Sequence, residues 1–213
     1  MKKDRTRRKQ LRPKSDNQTE YIRAMVESDV TICSGPAGSG KTSVAVGLAC
    51  QHILEEKVEK IIITRPVVES GRGLGFLPGT FQEKIYPYLI PIIEEMKMYL
   101  LSTEHKKFMA ANVIEVVPLE YMRGRNFHNC FMILDEAQNA TLEQIKMFIT
   151  RIGRGSKAII NGDTTQTDLP YNHGGGLSHC MDKLDGIEGV GIVRLNESDI
   201  VRNKLISKII AHI

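Results

Sequence analysis

The sequence predicts an α/β domain whose mainly parallel sheet is covered by helices on both faces, and three observations predict it. Short apolar runs at residues 30–33, 60–64, 113–116, 131–134, 157–160 and 189–193 alternate with segments of helical periodicity. Such alternation builds crossover units, which set the strands parallel and place helices on the sheet faces. Gly35-Pro36-Ala37-Gly38-Ser39-Gly40-Lys41-Thr42 joins the first strand to the next helix and satisfies G-x-x-x-x-G-K-[ST]. The run at 131–134 ends on Asp135-Glu136, so a buried strand delivers two acids to the sheet end where open α/β folds bind ligands.

The elements follow in order. Residues 16–28 read as a helix, with Asp16 or Asn17 as cap and Tyr21, Met25 and Val26 on its apolar side. After the strand at 30–33, a helix runs from Thr42 to about Leu54, and the strand at 60–64 ends at Arg65-Pro66. Residues 71–79 are too rich in Gly and Pro for a regular element. Helical periodicity at 81–101 is interrupted by Pro87 and Pro91. The strand at 113–116 leads into a polar stretch through Arg125, and Leu142, Ile145, Ile149 and Ile152 mark one face of a helix after the acid pair. The strand at 157–160 leads to Asn161-Gly162-Asp163, the one at 189–193 is the sixth, and residues 199–212 read as a closing amphipathic helix. No repeat and no second phosphate loop interrupts this order, so residues 16–213 read as one domain behind a basic, flexible tail of residues 1–15.

With 213 residues, 41% hydrophobic and 25% charged, the chain fits one globular domain. No apolar run approaches the ~18 residues of a membrane span, and the N-terminus lacks the apolar core of a signal peptide. Cys33, Cys50, Cys130 and Cys180 form no C-x-x-C pair, which fits buried free thiols in a reducing, cytoplasmic compartment. Residues 1–14 hold eight Lys or Arg against Asp4; with a chain total of +4, the remainder is slightly acidic. Such a tail serves either as an arm for nucleic-acid phosphates or as a solubilising extension.

The loop at 35–42 is the strongest chemical signal. Its glycines let backbone N–H groups converge on a polyphosphate, aided by the dipole of the following helix. Gly35 to Ser43 form the expected nucleotide cradle, with Lys41 reaching the β- and γ-phosphates and Thr42 holding Mg²⁺. Asp135 is the second expected Mg²⁺ ligand, and Glu136 the group that polarises the attacking water. Gln166, in Gly162-Asp163-x-x-Gln166, reads either as a γ-phosphate sensor or as part of a polar turn. His173, His179 and Cys180 are poorly spaced for a structural zinc, leaving Mg²⁺ as the expected metal.

Longer strings add a resemblance. Asp135-Glu136-Ala137-Gln138 and the Gly162–Gln166 string resemble motifs of helicase superfamily one. Ile63-Thr64-Arg65-Pro66, Leu74-Gly75-Phe76-Leu77-Pro78-Gly79, Tyr121-Met122-Arg123-Gly124-Arg125, Gln166-x-Asp168-Leu169-Pro170 and Asp199-Ile200-Val201-Arg202 are similar to those of PhoH-like ATPases. The resemblance runs from about Asn17 to the C-terminus and implies a three-layer, RecA-like core that hydrolyses ATP, with RNA or other single-stranded nucleic acid as target. It implies an adenine-reading role for Gln18, otherwise a first-turn helix residue, and an arginine-finger role for Arg202. Arg65, Arg123 and Arg125 become candidates for nucleic-acid or interface contact; for the last two, contact with the γ-phosphate and a place in a merely solvated loop are the further readings. Arg72 replaces a usual glutamate, Asn203-Lys204 a usual His-Pro, and Gly174-Gly175-Gly176-Leu177 a Ser-Gly-Leu, changes that bear on partners more than on hydrolysis. Because superfamily-one helicases close the site with a second lobe and this chain has room for one, a homo-oligomeric ring is expected, a hexamer with arginine donated in trans. The different-class alternative is a nucleotide-switched RNA- or protein-binding module with slow hydrolysis.

Overall fold

The computed structural model describes residues 8–66, 81–167, 169 and 175–200, with backbone alone over 81–88. Residues 1–7, the Gly/Pro-rich 71–79 with Arg72, Asp168, His173, Gly174 and everything after Ile200, Arg202 and Asn203-Lys204 included, lie outside the described residues.

Among the described residues six strands form one sheet: β1 (Val30–Ser34), β2 (Lys60–Arg65), β3 (Ile114–Pro118), β4 (Cys130–Leu134), β5 (Lys157–Gly162) and β6 (Val190–Arg194). Their order is β3-β2-β4-β5-β1-β6, and every pairing is parallel. Side chains alternate between two cores, as the two-residue period of a strand requires. Ile61, Ile63, Phe131 and Ile133 face one core; Ile62, Met132, Leu134 and Ile160 face the other.

The first core is closed by α1 (Asp16–Glu27), α2 (Lys41–Leu54) and α3 (Phe81–Tyr99), with α4 (Ser102–Ala110) beside β3. Helix α2 is apolar nearly all round, as a helix held between a sheet and its neighbours should be. The second core is closed by α5 (Leu142–Ile149) and α6 (Gly176–Leu184). The chain is therefore an α/β, three-layer domain, as expected.

Three details differ from the sequence reading. Helix α3 runs through Pro87 and Pro91 without a break, because Ile92, Met96 and Tyr99 bury a continuous stripe while Pro91 faces solvent. Helices α4 and α6 carry too few apolar residues, or too many glycines at the start, to stand out by periodicity. The basic N-terminal segment does not stand apart from the domain over residues 8–14. Arg8 pairs with Glu104, Lys9 N–H donates to Met98 O at 2.9 Å, and the Lys9 ammonium lies 4.9 Å from the Tyr99 ring centre. Leu11 packs against the first core, and Lys14 N–H donates to Gln18 Oε1 at 2.8 Å.

Candidate nucleotide site

Three strand ends build the site. In a parallel sheet they all finish on one edge, so the residues following β1, β4 and β5 must converge. The phosphate loop leaves β1 at Gly35, whose N–H donates to Gly162 O at 3.1 Å. It enters α2 through Gly40, which has φ +89° and would press a Cβ to 2.7 Å from Gln18 Nε2. Only glycine satisfies both demands. No side chain caps α2, leaving its first-turn N–H groups facing the loop.

Lys41 folds its ammonium back onto the carbonyls of Gly35 and Pro36, at 2.5 and 3.0 Å. Thr42 Oγ1 donates to Asp135 Oδ1 at 2.8 Å across the width of the intervening β5. The expected Mg²⁺ ligands are thus in direct contact, and their hydroxyl and carboxylate oxygens suit a hard, oxygen-preferring cation. The Ser43 hydroxyl is engaged elsewhere, donating to Glu95 Oε1 at 2.6 Å and lying 3.0 Å from Tyr99 OH.

Glu136 stands at φ +57°, a left-handed conformation that only tight surroundings maintain in a non-glycine residue. The acid pair does not cap α5: Thr141 does so, in a reciprocal box with Gln144. Gln138 fixes the Glu136 carboxylate by donating from Nε2 to Oε2 at 2.7 Å, while its Oε1 accepts from Asp163 N–H at 3.1 Å. One side-chain amide therefore joins the turn after β4 to the turn after β5. Asp163 is 6% exposed and accepts from Thr165 N–H and Oγ1, and Gln166 N–H closes that turn on Asp163 O at 3.2 Å. Lys41, Thr42, Asp135, Glu136, Asp163 and Gln166 line a common cleft of about 360 Å³.

The remaining candidates separate. The Gln18 amide is turned onto its own chain, donating from Nε2 to Ser39 O at 2.8 Å and accepting from Lys14 N–H. Arg65 is turned onto the acid pair: Nε and Nη2 donate to Asp135 Oδ2 at 3.0 and 2.6 Å, and Nη2 lies 3.5 Å from Glu136 Oε1. Arg123 is exposed at the end of the short helical turn Leu119–Met122. Arg125 instead clasps Glu115 through two hydrogen bonds, at 2.5 and 2.9 Å, and covers the Phe127 ring at 4.6 Å. The orienting role of Gln138 and the place of Arg65 beside the acids escape sequence reasoning, because both arise from contacts between strand ends that no spacing encodes.

The Arg125 hydrogen bonds, then those of Lys60, hold the Glu115 carboxyl down at about 2, against the opposing pull of burial. Because that value lies below the unfolded one of 4.5, the stabilisation is present above pH 4.5 and is lost as pH falls towards 2. Solvent screening limits it to roughly 1 kcal/mol. Denaturant titrations should show Glu115→Gln less stable than wild type by about that amount at pH 6, with the gap narrowing below pH 4.5 and closing only towards pH 2.

A phosphate loop after β1, an acid pair after β4 and an intervening β5 define a nucleotide-binding P-loop protein of RecA-like architecture. Solved structures share the fold. The large terminase of a thermophilic bacteriophage matches with a TM-score of 0.60 at 13% identity, over 93% of this chain and 50% of that one. The UvsW helicase of bacteriophage T4 matches with a TM-score of 0.50 at 14% identity, over 88% and 61%. The family model described as PhoH-like protein matches residues 10–213, and the chain belongs to that family. It is 45% identical over 202 residues to a PhoH-like protein of Bacillus subtilis (strain 168), covering 95% of this chain and 63% of that one. It is 39% identical over 194 residues to Protein PhoH of Escherichia coli (strain K12), covering 90% and 55%. The chain thus spans between half and two thirds of these relatives' length. Among the described residues no helix is long and apolar enough to cross a membrane.

Proposed function

We infer that the protein is a Mg²⁺-dependent ATPase that couples hydrolysis to binding or remodelling of RNA or other single-stranded nucleic acid in the bacterial or phage-infected cytoplasm. The observation that carries this reading is Glu136, a second acid beside the Thr42–Asp135 contact, oriented by Gln138 into the cleft of the phosphate loop. Thr42 and Asp135 would hold Mg²⁺, which would supply neutralisation of the phosphate charge. Lys41 leaves its two loop carbonyls to bind the terminal phosphates. Glu136 takes a proton from the attacking water as its oxygen bonds to the γ-phosphorus and the bond to the β,γ-bridging oxygen breaks, releasing ADP and phosphate, and Gln166 senses the terminal phosphate. A recess of about 160 Å³ beside the loop, bounded by Gln18, Leu11, Val44 and Tyr99, is sized for the base. There the second Nε2 hydrogen of Gln18 is the group that reads adenine.

A ring of identical subunits, a hexamer in our reading, completes the site with Arg202 donated in trans. A nucleotide-switched binding module with slow hydrolysis draws support from one observation, the Arg65 guanidinium beside Glu136, which restrains the base.

The test is ATP turnover with and without single-stranded RNA, beside Lys41→Ala. The substitution removes a cation made for phosphate, and turnover should fall about 10²-fold or more. Retained turnover would overturn the assignment. With ATP present, light scattering should find a species several times 23.9 kDa; a monomer throughout would sink the ring. Mixing Arg202→Ala with Lys41→Ala subunits should restore activity if the arginine crosses between subunits.

A further inference from the structure

The Asp135 carboxylate has both oxygens engaged. Oδ1 accepts from the Thr42 hydroxyl and Oδ2 accepts from two nitrogens of Arg65. This is no surface ion pair: the Asp135 side chain is 2% exposed and that of Arg65 16%. Its geometry follows from the sheet. Thr64 pairs with Leu134 across β2 and β4, and Asp135 N–H donates to Thr64 O at 3.0 Å. Arg65 and Asp135 therefore leave adjacent strand ends side by side, and the guanidinium also spans to Glu136. The carboxylate meant for a dication and the base beside it are both held by a single monovalent cation.

We propose that Arg65 is the resident counter-ion of the acid pair, occupying the Asp135 oxygen that Thr42 leaves open, so that Arg65 and the Mg²⁺ of a Mg²⁺–nucleotide compete for one carboxylate. The arrangement has two consequences. Without the cation, Arg65 offsets the repulsion between the buried Asp135 and the half-exposed Glu136 beside it. When the cation enters, the guanidinium must leave Oδ2, and the work of separating them subtracts from the affinity that Mg²⁺ adds to the nucleotide. Loading of Mg²⁺–nucleotide, rather than nucleotide alone, is then what releases Arg65 at the end of β2. Arg65 is a positioning residue in this scheme, acting through Asp135.

The inference rests on the nucleotide reading above, and its test is chosen to separate the two. ADP affinity is measured in EDTA and in Mg²⁺ for wild type, Arg65→Gln and Arg65→Lys, using a fluorescent ADP. In EDTA the three proteins should agree within about threefold, because Arg65 faces the acids and not the phosphate cradle. The ratio of affinities with and without Mg²⁺ should rise about tenfold in Arg65→Gln, an ordinary size for coupling between two bound groups. Arg65→Lys, with a charge but no fork of donors, should fall between. A ratio that is unchanged or smaller in Arg65→Gln overturns the proposal, as does a matching loss in EDTA, which would place Arg65 on the phosphates. Should Arg65→Gln not fold, the Arg65 Nε–H resonance of wild type decides: it should move when Mg²⁺ is added to the ADP complex, and a fixed resonance overturns the proposal. Absence of ADP binding in wild type under both conditions overturns the nucleotide reading and this inference with it.

Discussion

Glu136→Gln should lower ATP turnover by about 10²–10⁴-fold, the ordinary contribution of a positioned general base, while ATP affinity changes by no more than a few fold. The substitution keeps length and planarity, so the left-handed backbone at this residue is not asked to change. What it removes is the basic oxygen pair. Glu136 Oε2 accepts from Gln138 Nε2 and Oε1 lies 3.5 Å from Arg65 Nη2; a glutamine amide can serve one of these donors through its oxygen while its nitrogen faces the other. Binding survives because Lys41, Thr42 and the first-turn N–H groups of α2 form the phosphate cradle without Glu136. The measurement is steady-state phosphate release alongside equilibrium binding of a non-hydrolysable ATP analogue. Unchanged turnover would remove Glu136 from the chemistry. A parallel loss of affinity would mean that the loop, and not the base, was damaged.

How much of this site the sequence contained depends on whether a feature is local. The phosphate loop is legible because its requirements lie within eight consecutive residues: a left-handed Gly40, a helix opening on Lys41-Thr42, and a strand immediately before. Asp135-Glu136 is legible because an apolar five-residue strand can only deliver its next residues to the sheet edge. The alternating apolar runs set the number and type of strands, and the structure finds all six parallel. Strand order was not legible. Insertion of β5 between β1 and β4 depends on crossovers, yet it is what places Gly162 and Asp163 between the loop and the acids.

The arginines show the same limit. Charge and motif alone make three of them candidates for outside partners. Arg65 is instead committed to Asp135 because β2 and β4 are neighbours in register, and Arg125 is committed to Glu115 of β3. Arg123 alone of the three stays exposed. The N-terminal charges likewise look free in a linear reading, yet Arg8 and Lys9 find Glu104 and the Tyr99 ring on α4 and α3.

Gly162→Ala should reduce turnover by about 10–100-fold through a residue that touches no nucleotide group, and it tests whether Gln138 truly links the two turns. Gly162 ends β5 opposite Ser34, and a Cβ there would collide with Leu177 Cδ2 and lie 2.8 Å from Gln138 Oε1 and 2.9 Å from Gln138 N. The Leu177 methyl can rotate away only into a filled core, since that side chain is 2% exposed. The Gln138 backbone cannot yield without moving the turn after β4. Forcing a methyl into such a place costs about 1–3 kcal/mol, or roughly 2–4 °C of melting temperature per kcal/mol at this size. The larger effect is on geometry. Displacing the Gln138 amide loosens its bond to Asp163 N–H and its hold on the Glu136 carboxylate together. A misplacement of the base by about 1 Å is enough for a loss of this order. ADP affinity should stay within about threefold, because the first turn of α2 is supported from α1 and α3. Gln138→Leu should reproduce the kinetic defect without steric pressure at Gly162, and the double substitution should then add little further, as expected of two residues acting through one contact. Additive losses would show that Gly162 acts instead through Gly35, whose N–H rests on the Gly162 carbonyl.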